Sequence, residues 1–198
     1  KFLDSGPGFG GSCFKKDILN LVYLAEYFGL TEVANFWESV VKINSWHQKR
    51  ISEIVVKKLF GTISGKKILI LGFAFKANTN DTRESAAIQI CKNLLEEGAE
   101  LIINDPIVDP KQIASDLESN IIKSQNEEII YRSDNYEGSW SFTDDLNSAF
   151  INTHAIVILT EWEEYANIDW VTCAKSMKKP SWIFDSRLIV NPKNVLDA

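Results

Sequence analysis

The sequence is short of cysteine, of long apolar runs and of basic residues, and each shortage excludes a class of protein. Its three cysteines are too few for a disulfide framework and lack metal-ligand spacing, so a reducing cytoplasm and no metal are expected. No run of about 18 apolar residues is present, so no membrane span is predicted. With 21 basic and 27 acidic residues the formal net charge is -6, which argues against nucleic-acid binding.

The first sixty residues have helical periodicity. The pattern predicts a first helix capped by Ser12, and a second helix, capped by Thr31, that continues to Leu59. The second helix is longer than most in globular proteins, and such helices usually connect domains or form oligomer interfaces. Asn44 and His47 lie close to its apolar stripe. We interpret them as a hydrogen-bonded polar pair at an interface in preference to catalytic residues.

From Lys66 onward, short apolar runs alternate with helical patterns. The predicted strands are Lys67–Gly72, Leu101–Asp105, Ala155–Leu159 and Trp182–Phe184. A helix is predicted from Ser85 to Glu97, between the first two strands. Continuous apolar strands separated by helices predict a parallel sheet that is covered on both faces. Asp105 is interpreted as a turn-forming residue in preference to a ribose-binding acid.

The middle of this region, residues 111–147, is polar and poorly periodic. It predicts a short helix, an exposed loop at 124–138, an edge strand at Trp140–Phe142 and a helix capped by Thr143. The boundary between the helical and α/β parts is predicted near Gly61–Gly65. The fold class is therefore α/β: a helical segment with one long central helix (1–62), then a Rossmann-like, mostly parallel sheet with helices on both faces (63–198).

A glycine-rich loop, residues 6–11, precedes Cys13 at the predicted start of the first helix. The unpaired N–H groups and the positive dipole end of that helix favour a thiolate, as do Lys15 and Lys16. Glycines let the backbone approach a ligand and offer N–H groups to an oxyanion. Asp17, one turn after Cys13, is placed to orient a water. The alternative is a flexible terminus with Cys13 as an inert small hydrophobic residue.

A second motif follows the first predicted strand. Residues 71–76 leave the strand through Gly72, and residues 81–85 open a helix. Rossmann-type folds bind phosphate where a strand-end glycine precedes a helix N-terminus. Gly-x-Gly-x-x-Gly is absent, so the dinucleotide fingerprint is missing from this motif. Lys76 and Arg83 are cations suited to an anionic ligand, although a solvated helix start is the alternative for Arg83.

Both motifs resemble those of the UDP-glucose/GDP-mannose dehydrogenase family. Gly-Phe-Gly-Gly-Ser-Cys-Phe-x-Lys-Asp, at 8–17, is similar to the family's nucleophile segment. Gly-Phe-Ala-Phe-Lys at 72–76 and Asp-Thr-Arg-Glu-Ser at 81–85 are similar to the hallmark of its UDP-binding domain. Thr-Glu-Trp at 160–162 and Phe-Asp-Ser-Arg at 184–187 also fit. The motifs occur in the family's order and cover nearly the whole chain.

The resemblance implies an NAD-dependent enzyme that oxidises UDP-glucose to UDP-glucuronate by two hydride transfers through a cysteine thioester. It implies that Cys13 is the nucleophile and that Asp17 lies beside the hydrolytic water. The residues it places at the substrate are Phe2, Leu3, Phe9, Gly10, Phe75, Lys76 and Arg187. The residues it places at NAD are Cys13, Phe14, Lys15, Lys16 and Arg83.

Two further expectations follow from the resemblance, and a third follows from the length of the second helix. Thr82 favours UDP-glucose over the alternatives GDP-mannose and UDP-N-acetylmannosamine. The family's N-terminal NAD domain is not among these residues, so we expect a larger enzyme of which this chain alone is inactive. The long helix, 31–60, is the candidate interface of a homo-oligomer, a dimer or higher. The alternative function is a non-catalytic module for sugar-nucleotide binding or dimerisation.

Overall fold

The computed structural model describes residues 4–123 and 129–196, which form a pair of helices followed by a seven-stranded sheet. The pair consists of α1 (Phe14–Tyr27) and α2 (Thr31–Lys58). The strands are β1 (Lys67–Leu71), β2 (Glu100–Asn104), β3 (Asn120–Lys123), β4 (Ile129–Arg132), β5 (Ser139–Phe142), β6 (Ala155–Ile158) and β7 (Trp182–Asp185). The other helices of the described residues are α3 (Ala86–Glu96), α4 (Pro110–Asp116), α5 (Leu146–Ala149), α6 (Glu163–Ala166), α7 (Trp170–Ser176) and α8 (Pro192–Leu196).

The two helices of the pair pack against each other. Gly29 follows the end of α1 with a φ of 72°, and its amide donates to the Glu26 carbonyl. The long second helix is confirmed at 28 residues. The predicted caps Ser12 and Thr31 are wrong, because Cys13 and Leu30 occupy the N-cap positions without a side-chain cap. Across the described ranges, no helix is both long and apolar enough to cross a membrane.

The sheet has the strand order β3-β4-β5-β2-β1-β6-β7. The strands from β5 to β7 in this order are parallel, whereas β3 and β4 add an antiparallel hairpin at one edge. β1 pairs with β2 on one side and with β6 on the other, so the connections leave β1 in opposite directions. Such a switch point opens a crevice outside the carboxyl ends of the two strands.

Helices cover both faces of the sheet, as the apolar strands predicted. Ile68 and Ile70 point to a core shared with α2, α3 and α4. Leu69 and Leu71 point to a second core shared with α5 and α7. All four side chains are fully buried, because alternate residues of a strand face opposite sides of the sheet. The mostly parallel, doubly covered sheet is therefore confirmed.

The polar stretch between β2 and β6 differs from the sequence prediction. Part of the predicted loop forms β4, while residues 124–128 lie outside the described residues. The predicted edge strand is β5, which lies between β2 and β4. It is interior because it pairs with β2 on one side and with β4 on the other. Trp140 of β5 stacks on Tyr131 of β4, with ring centroids 4.0 Å apart. Asp145, and not Thr143, caps α5 by accepting from the Asn147 amide.

Asp105 is buried at the end of β2 and holds the loop that follows β1. Its Oδ2 accepts from the amides of Phe73 and Ala74, at 2.7 and 3.0 Å. Its Oδ1 accepts from the amides of Ile107 and Val108, both at 3.0 Å. The turn-forming interpretation is therefore correct. Asp105 holds its own turn and also the loop that follows the neighbouring strand β1. A ribose-binding role does not fit a carboxylate that is 3% exposed and satisfied by backbone N–H groups.

We expect Asp105→Ala to lower the free energy of unfolding of this chain by about 2–4 kcal/mol, because buried backbone donors lose a charged acceptor. Urea denaturation followed by circular dichroism measures the change. The matched control is Asp144→Ala at an exposed position, where the change is expected to stay within about 0.5 kcal/mol. Equal effects of the two substitutions would contradict the assignment.

Candidate active site

The carboxyl ends of β1 and β6 approach each other closely at the switch point of the sheet. Gly72 follows β1 with a φ of 91°, and a Cβ on it would lie 2.3 Å from the Cβ of Thr160. Thr160 Oγ1 donates to the Ala74 carbonyl at 2.7 Å. This approach requires glycine, both for the backbone angle and for the missing side chain. The motif at 72–76 therefore enters the crevice where open α/β sheets bind ligands.

Arg187, after β7, joins the loops that follow β1 and β6. Its Nε donates to the Leu159 carbonyl at 2.8 Å, and its Nη2 donates to the Phe75 carbonyl at 3.1 Å. The Oε2 of Glu161 lies 3.2 Å from Nε but has no hydrogen-bond geometry. Burial lowers the pKa of the Arg187 guanidinium, and the Glu161 carboxylate partly opposes this shift. The Nη1 atom is the nearest neighbour of a Cβ built on Gly6.

Asp81 and Arg83 form a bidentate ion pair in the turn before α3. The Asp81 carboxylate accepts from Nε and Nη2 of Arg83, at 2.9 and 2.8 Å. This hydrogen bonding holds the pKa of Asp81 below its usual range, against a smaller opposing effect of burial. The Arg83 side chain is 70% exposed. Its guanidinium is therefore fixed in direction while it remains open to a ligand.

The glycine loop meets this turn through the backbone. The Gly11 amide donates to the Arg83 carbonyl at 2.9 Å. A Cβ on Gly10 would lie 2.3 Å from the carbonyl oxygen of Glu84, whose own φ is 54°. Lys15 Nζ donates to the Glu84 carboxylate at 2.8 Å across 69 residues of chain. Two motifs that are distant in sequence thus form one site.

Cys13 lies at this junction, at the N-terminus of α1. Its thiol is exposed, and its Sγ lies 3.7 Å from the hydroxyl of Ser12. Hydrogen bonding to Asp81 raises the pKa of the Arg83 guanidinium, and the negative charge of a Cys13 thiolate adds to this shift. The arrangement places an exposed thiol, a guanidinium and a helix N-terminus together. This combination suits an anionic, electrophilic ligand.

Two backbone amides of the loop are not free for an oxyanion. The Gly11 amide donates to the Arg83 carbonyl, and the Phe9 amide donates to the side chain of Asn44. The sequence expectation that the loop offers its N–H groups to a ligand is therefore wrong for these two. Both amides hold the loop in place, which fixes the direction in which the chain reaches Cys13.

The described residues among those predicted at the substrate lie on the glycine loop, on the loop after β1 and after β7. Gly10 lies against Phe75, and Phe9 packs its ring edge-to-face on Phe14 at 4.7 Å. The ammonium of Lys76 is exposed, 5.3 Å from the centroid of the Phe75 ring. Phe2 and Leu3 lie outside the described residues.

The residues predicted at NAD surround the first turn of α1. Lys15 is paired with Glu84, whereas Lys16 and Asp17 are exposed on the helix. Arg83 lies close enough for its charge to interact with that of Cys13. In the part of the chain that the structure describes, no group of three or more His, Cys, Asp or Glu residues could hold a metal ion.

Asn44 and His47 of α2 belong to this site, although the sequence interpretation placed them at an interface. The Asn44 amide exchanges hydrogen bonds with the backbone of Phe9, and His47 Nε2 contacts the Gly6 carbonyl at 3.1 Å. Polar side chains beside an apolar stripe were the only sequence signal. Their partners were invisible because they are backbone groups of a distant loop.

Comparison with protein families finds two matches that together cover most of the chain. The model described as "UDP-glucose/GDP-mannose dehydrogenase family, UDP binding domain" matches residues 69–192. The model of the same family's central domain matches residues 1–46. The two matches fall on the α/β region and on the helical pair with its glycine loop.

Curated relatives and solved structures agree with these matches. The chain is 47% identical to UDP-glucose 6-dehydrogenase of Drosophila melanogaster over 96% of its length, and 44% identical to that of Caenorhabditis elegans over 98%. It spans only 39% and 38% of those two proteins. A UDP-glucose dehydrogenase structure from Pyrobaculum islandicum matches 98% of the chain and 37% of its own, with a TM-score of 0.72 and 25% identity.

We expect iodoacetamide to alkylate Cys13 in the native chain and to spare Cys91 and Cys173. Cys13 is exposed, whereas burial raises the pKa of the Cys91 thiol and raises that of Cys173 to about 11. Peptide mass mapping after a short exposure at pH 7.5 measures the three rates. Cys13→Ser removes the fast reaction, and urea serves as the control that exposes all thiols. Fast native labelling of Cys91 would contradict the buried core.

Proposed function

The chain belongs to the UDP-glucose/GDP-mannose dehydrogenase family, and from this premise we propose that it is part of an NAD-dependent UDP-glucose 6-dehydrogenase. The complete enzyme oxidises UDP-glucose to UDP-glucuronate. One observation carries the proposal: Cys13 lies at a helix N-terminus, where the nucleophile motif and the UDP-domain motif meet. A module that only binds a sugar nucleotide does not require an exposed thiol at this junction, whereas covalent catalysis does.

We propose that the chain consists of two regions with different functions. Residues 1–62 carry the nucleophile loop and the long helix, and residues 63–198 bind the sugar nucleotide. The spans of the two family models, 1–46 and 69–192, support this division. The contacts of Gly10 and Gly11 with residues 83 and 84 explain why neither region would form the site alone. The family's N-terminal NAD domain would supply the rest of the cofactor site.

The described residues fit one side of an NAD site. Lys16 is exposed on the first turn of α1, Arg83 is exposed and interacts electrostatically with Cys13, and the helix N-terminus itself favours negative charge. These groups would hold the diphosphate of NAD. When bound, NAD accepts one hydride from the substrate carbon in each of two successive oxidations. Asp81 keeps the Arg83 guanidinium pointed in one direction for this contact.

Cys13 supplies the covalent chemistry in this proposal. After the first oxidation turns the C6 alcohol into an aldehyde, the Sγ thiolate adds to the carbonyl carbon and the oxygen takes a proton. The resulting thiohemiacetal gives up a second hydride and a proton and becomes a thioester. Water then attacks the thioester carbon, the C–S bond breaks, and the thiolate and the uronic acid are released. Asp17, one turn along α1, orients that water.

The substrate lies in the crevice at the carboxyl ends of β1 and β6. Lys76 offers an exposed ammonium to a phosphate or hydroxyl group, and the loop through Phe9 and Gly10 lies along the sugar. Arg187 binds through the side of its guanidinium that faces Gly6, since its other nitrogens hold backbone carbonyls. A small diphosphate sugar needs only these few cations, which agrees with the net charge of -6.

In the complete protein, we expect Cys13→Ala to abolish formation of UDP-glucuronate while leaving UDP-glucose binding within about threefold, because the thiol acts only in the covalent steps. NADH production and isothermal titration with UDP-glucose measure the two effects. Full activity of the variant would refute the nucleophile assignment.

A control variant, the isolated chain and two alternative substrates complete this test. Cys173→Ala removes a buried thiol from the second core of the sheet and is expected to keep most of the activity. The isolated 198-residue chain is expected to produce no NADH. GDP-mannose and UDP-N-acetylmannosamine, tested in place of UDP-glucose, identify the sugar. NADH production with one of these two nucleotides and not with UDP-glucose would contradict UDP-glucose as the substrate and would assign the other sugar nucleotide.

We also propose that α2 forms the interface of a homo-oligomer. Phe36, Ile43 and Trp46 of this helix are 61%, 66% and 60% exposed, and Tyr27 and Phe28 extend the apolar surface. An exposed apolar surface of this extent on a helix is typical of a protein interface. The helix would thus combine a face that carries the glycine loop with a face that contacts a second copy.

We expect Phe36→Glu combined with Ile43→Glu to lower the oligomeric mass of the complete protein, because two charges would enter an apolar interface. Light scattering coupled to size exclusion measures the mass. The control is Ile121→Glu combined with Ile122→Glu, at exposed positions of β3. An unchanged mass, or a monomer already in the unmodified protein at high concentration, would refute the interface.

A further inference from the structure

We propose that Asn44 is a positioning residue, which fixes the glycine loop from the long helix and thereby sets the place of Cys13. The inference rests on the proposed function for its effect on the reaction. The contact between Asn44 and Phe9 is observed in the structure and does not depend on that function. Asn44 does not touch the reacting atoms, so its influence passes through the backbone of residues 9–13.

One amide side chain satisfies both backbone groups of Phe9. The Phe9 N–H donates to Asn44 Oδ1 at 2.8 Å, and Asn44 Nδ2 donates to the Phe9 carbonyl at 3.1 Å. This pairing imitates that of a neighbouring β-strand, because the primary amide carries a donor and an acceptor side by side. Only asparagine has this pair of groups at this length. Aspartate keeps the acceptor and loses the donor.

The residues that precede Phe9 also lie against α2. Gly8 has a φ of 122°, and a Cβ there would lie 2.7 Å from Asn44 Oδ1. His47, one turn along α2, contacts the Gly6 carbonyl through Nε2. Since a carbonyl only accepts, this nitrogen carries the proton. The loop thus lies along one face of α2, and Asn44 is its most specific contact.

The far side of the loop is held by the α/β region. Gly11 donates to the Arg83 carbonyl, two residues after Phe9 and two before Cys13. Glycine-rich segments lose more conformational entropy on ordering than other chains, so such a loop requires contacts on both sides. Without Asn44, α2 would hold the loop through the contact of His47 with Gly6, three residues before Phe9, and would no longer hold Phe9 itself. The thiol would then sample positions away from the substrate carbon.

The test compares Asn44→Ala and Asn44→Asp with Asn35→Ala, an exposed asparagine on the same helix. Hydrogen exchange of the 198-residue chain, read by NMR, reports the Phe9 amide without any need for activity. We expect protection of that amide to fall about tenfold in Asn44→Ala and less in Asn44→Asp, which keeps the acceptor. Protection of the β1 and β6 amides serves as the measure of global stability and is expected to stay unchanged.

Kinetics of the complete protein test the consequence. We expect kcat of Asn44→Ala to fall about 100-fold with a much smaller change in KM for UDP-glucose, since small misplacement of a nucleophile slows its attack. Asn44→Asp should fall between the alanine variant and the unmodified protein. A purely structural role would lower β1 and β6 protection together with kcat.

The outcomes distinguish the contact from the proposed function. Unchanged Phe9 exchange in Asn44→Ala, or unchanged kcat with lost protection, would overturn the positioning role. An equal effect of Asn35→Ala would overturn it as well. An unmodified complete protein without activity on any sugar nucleotide would refute the proposed function, while the exchange measurement would still decide whether Asn44 holds the loop.

Discussion

The contact on which the rest of the site depends is a close approach of two backbones, that of Gly10 and that of Glu84. No side chain fits between them, since a Cβ on Gly10 would lie 2.3 Å from the Glu84 oxygen. This contact brings the N-terminal loop against the turn before α3. The ion pair of Lys15 with Glu84 and the hydrogen bond of Gly11 to Arg83 then reinforce it. The place of Cys13 relative to the sheet follows from these constraints.

The sheet prepares its side of this contact through buried polar groups. Asp105 holds the amides after β1, Thr160 closes on the Ala74 carbonyl, and Arg187 joins the loops after β1 and β6. Each of these side chains acts on backbone atoms of another strand's loop. The crevice is consequently preorganised by these buried hydrogen bonds, while the side chains of Lys76 and Arg83 stay exposed to solvent.

Much of this fold could be predicted from sequence, because periodicity is a local signal. Four apolar runs predicted four of the five parallel strands, and Ser85 was recognised as the start of α3, which it caps. β3 and β4 were missed because each is only four residues long and is stabilised by strand pairing, β3 with β4 and β4 with β5, and by the stacking of Tyr131 on Trp140. The position of Cys13 at a helix start was predictable for the same local reason. The partners of Gly11, Asn44 and Arg187 were not, since all are backbone groups distant in the chain.

The separation in sequence of these contacts has a consequence for the order of folding. Phe9 pairs with a residue 35 positions away, and Lys15 with one 69 positions away. Contacts that close long loops form after local helices and hairpins, because chain entropy opposes them until both partners are in place. The surroundings of Cys13 therefore assemble after the local helices α1, α2 and α3 and not together with them. A newly made chain would carry the thiol long before it carries the site.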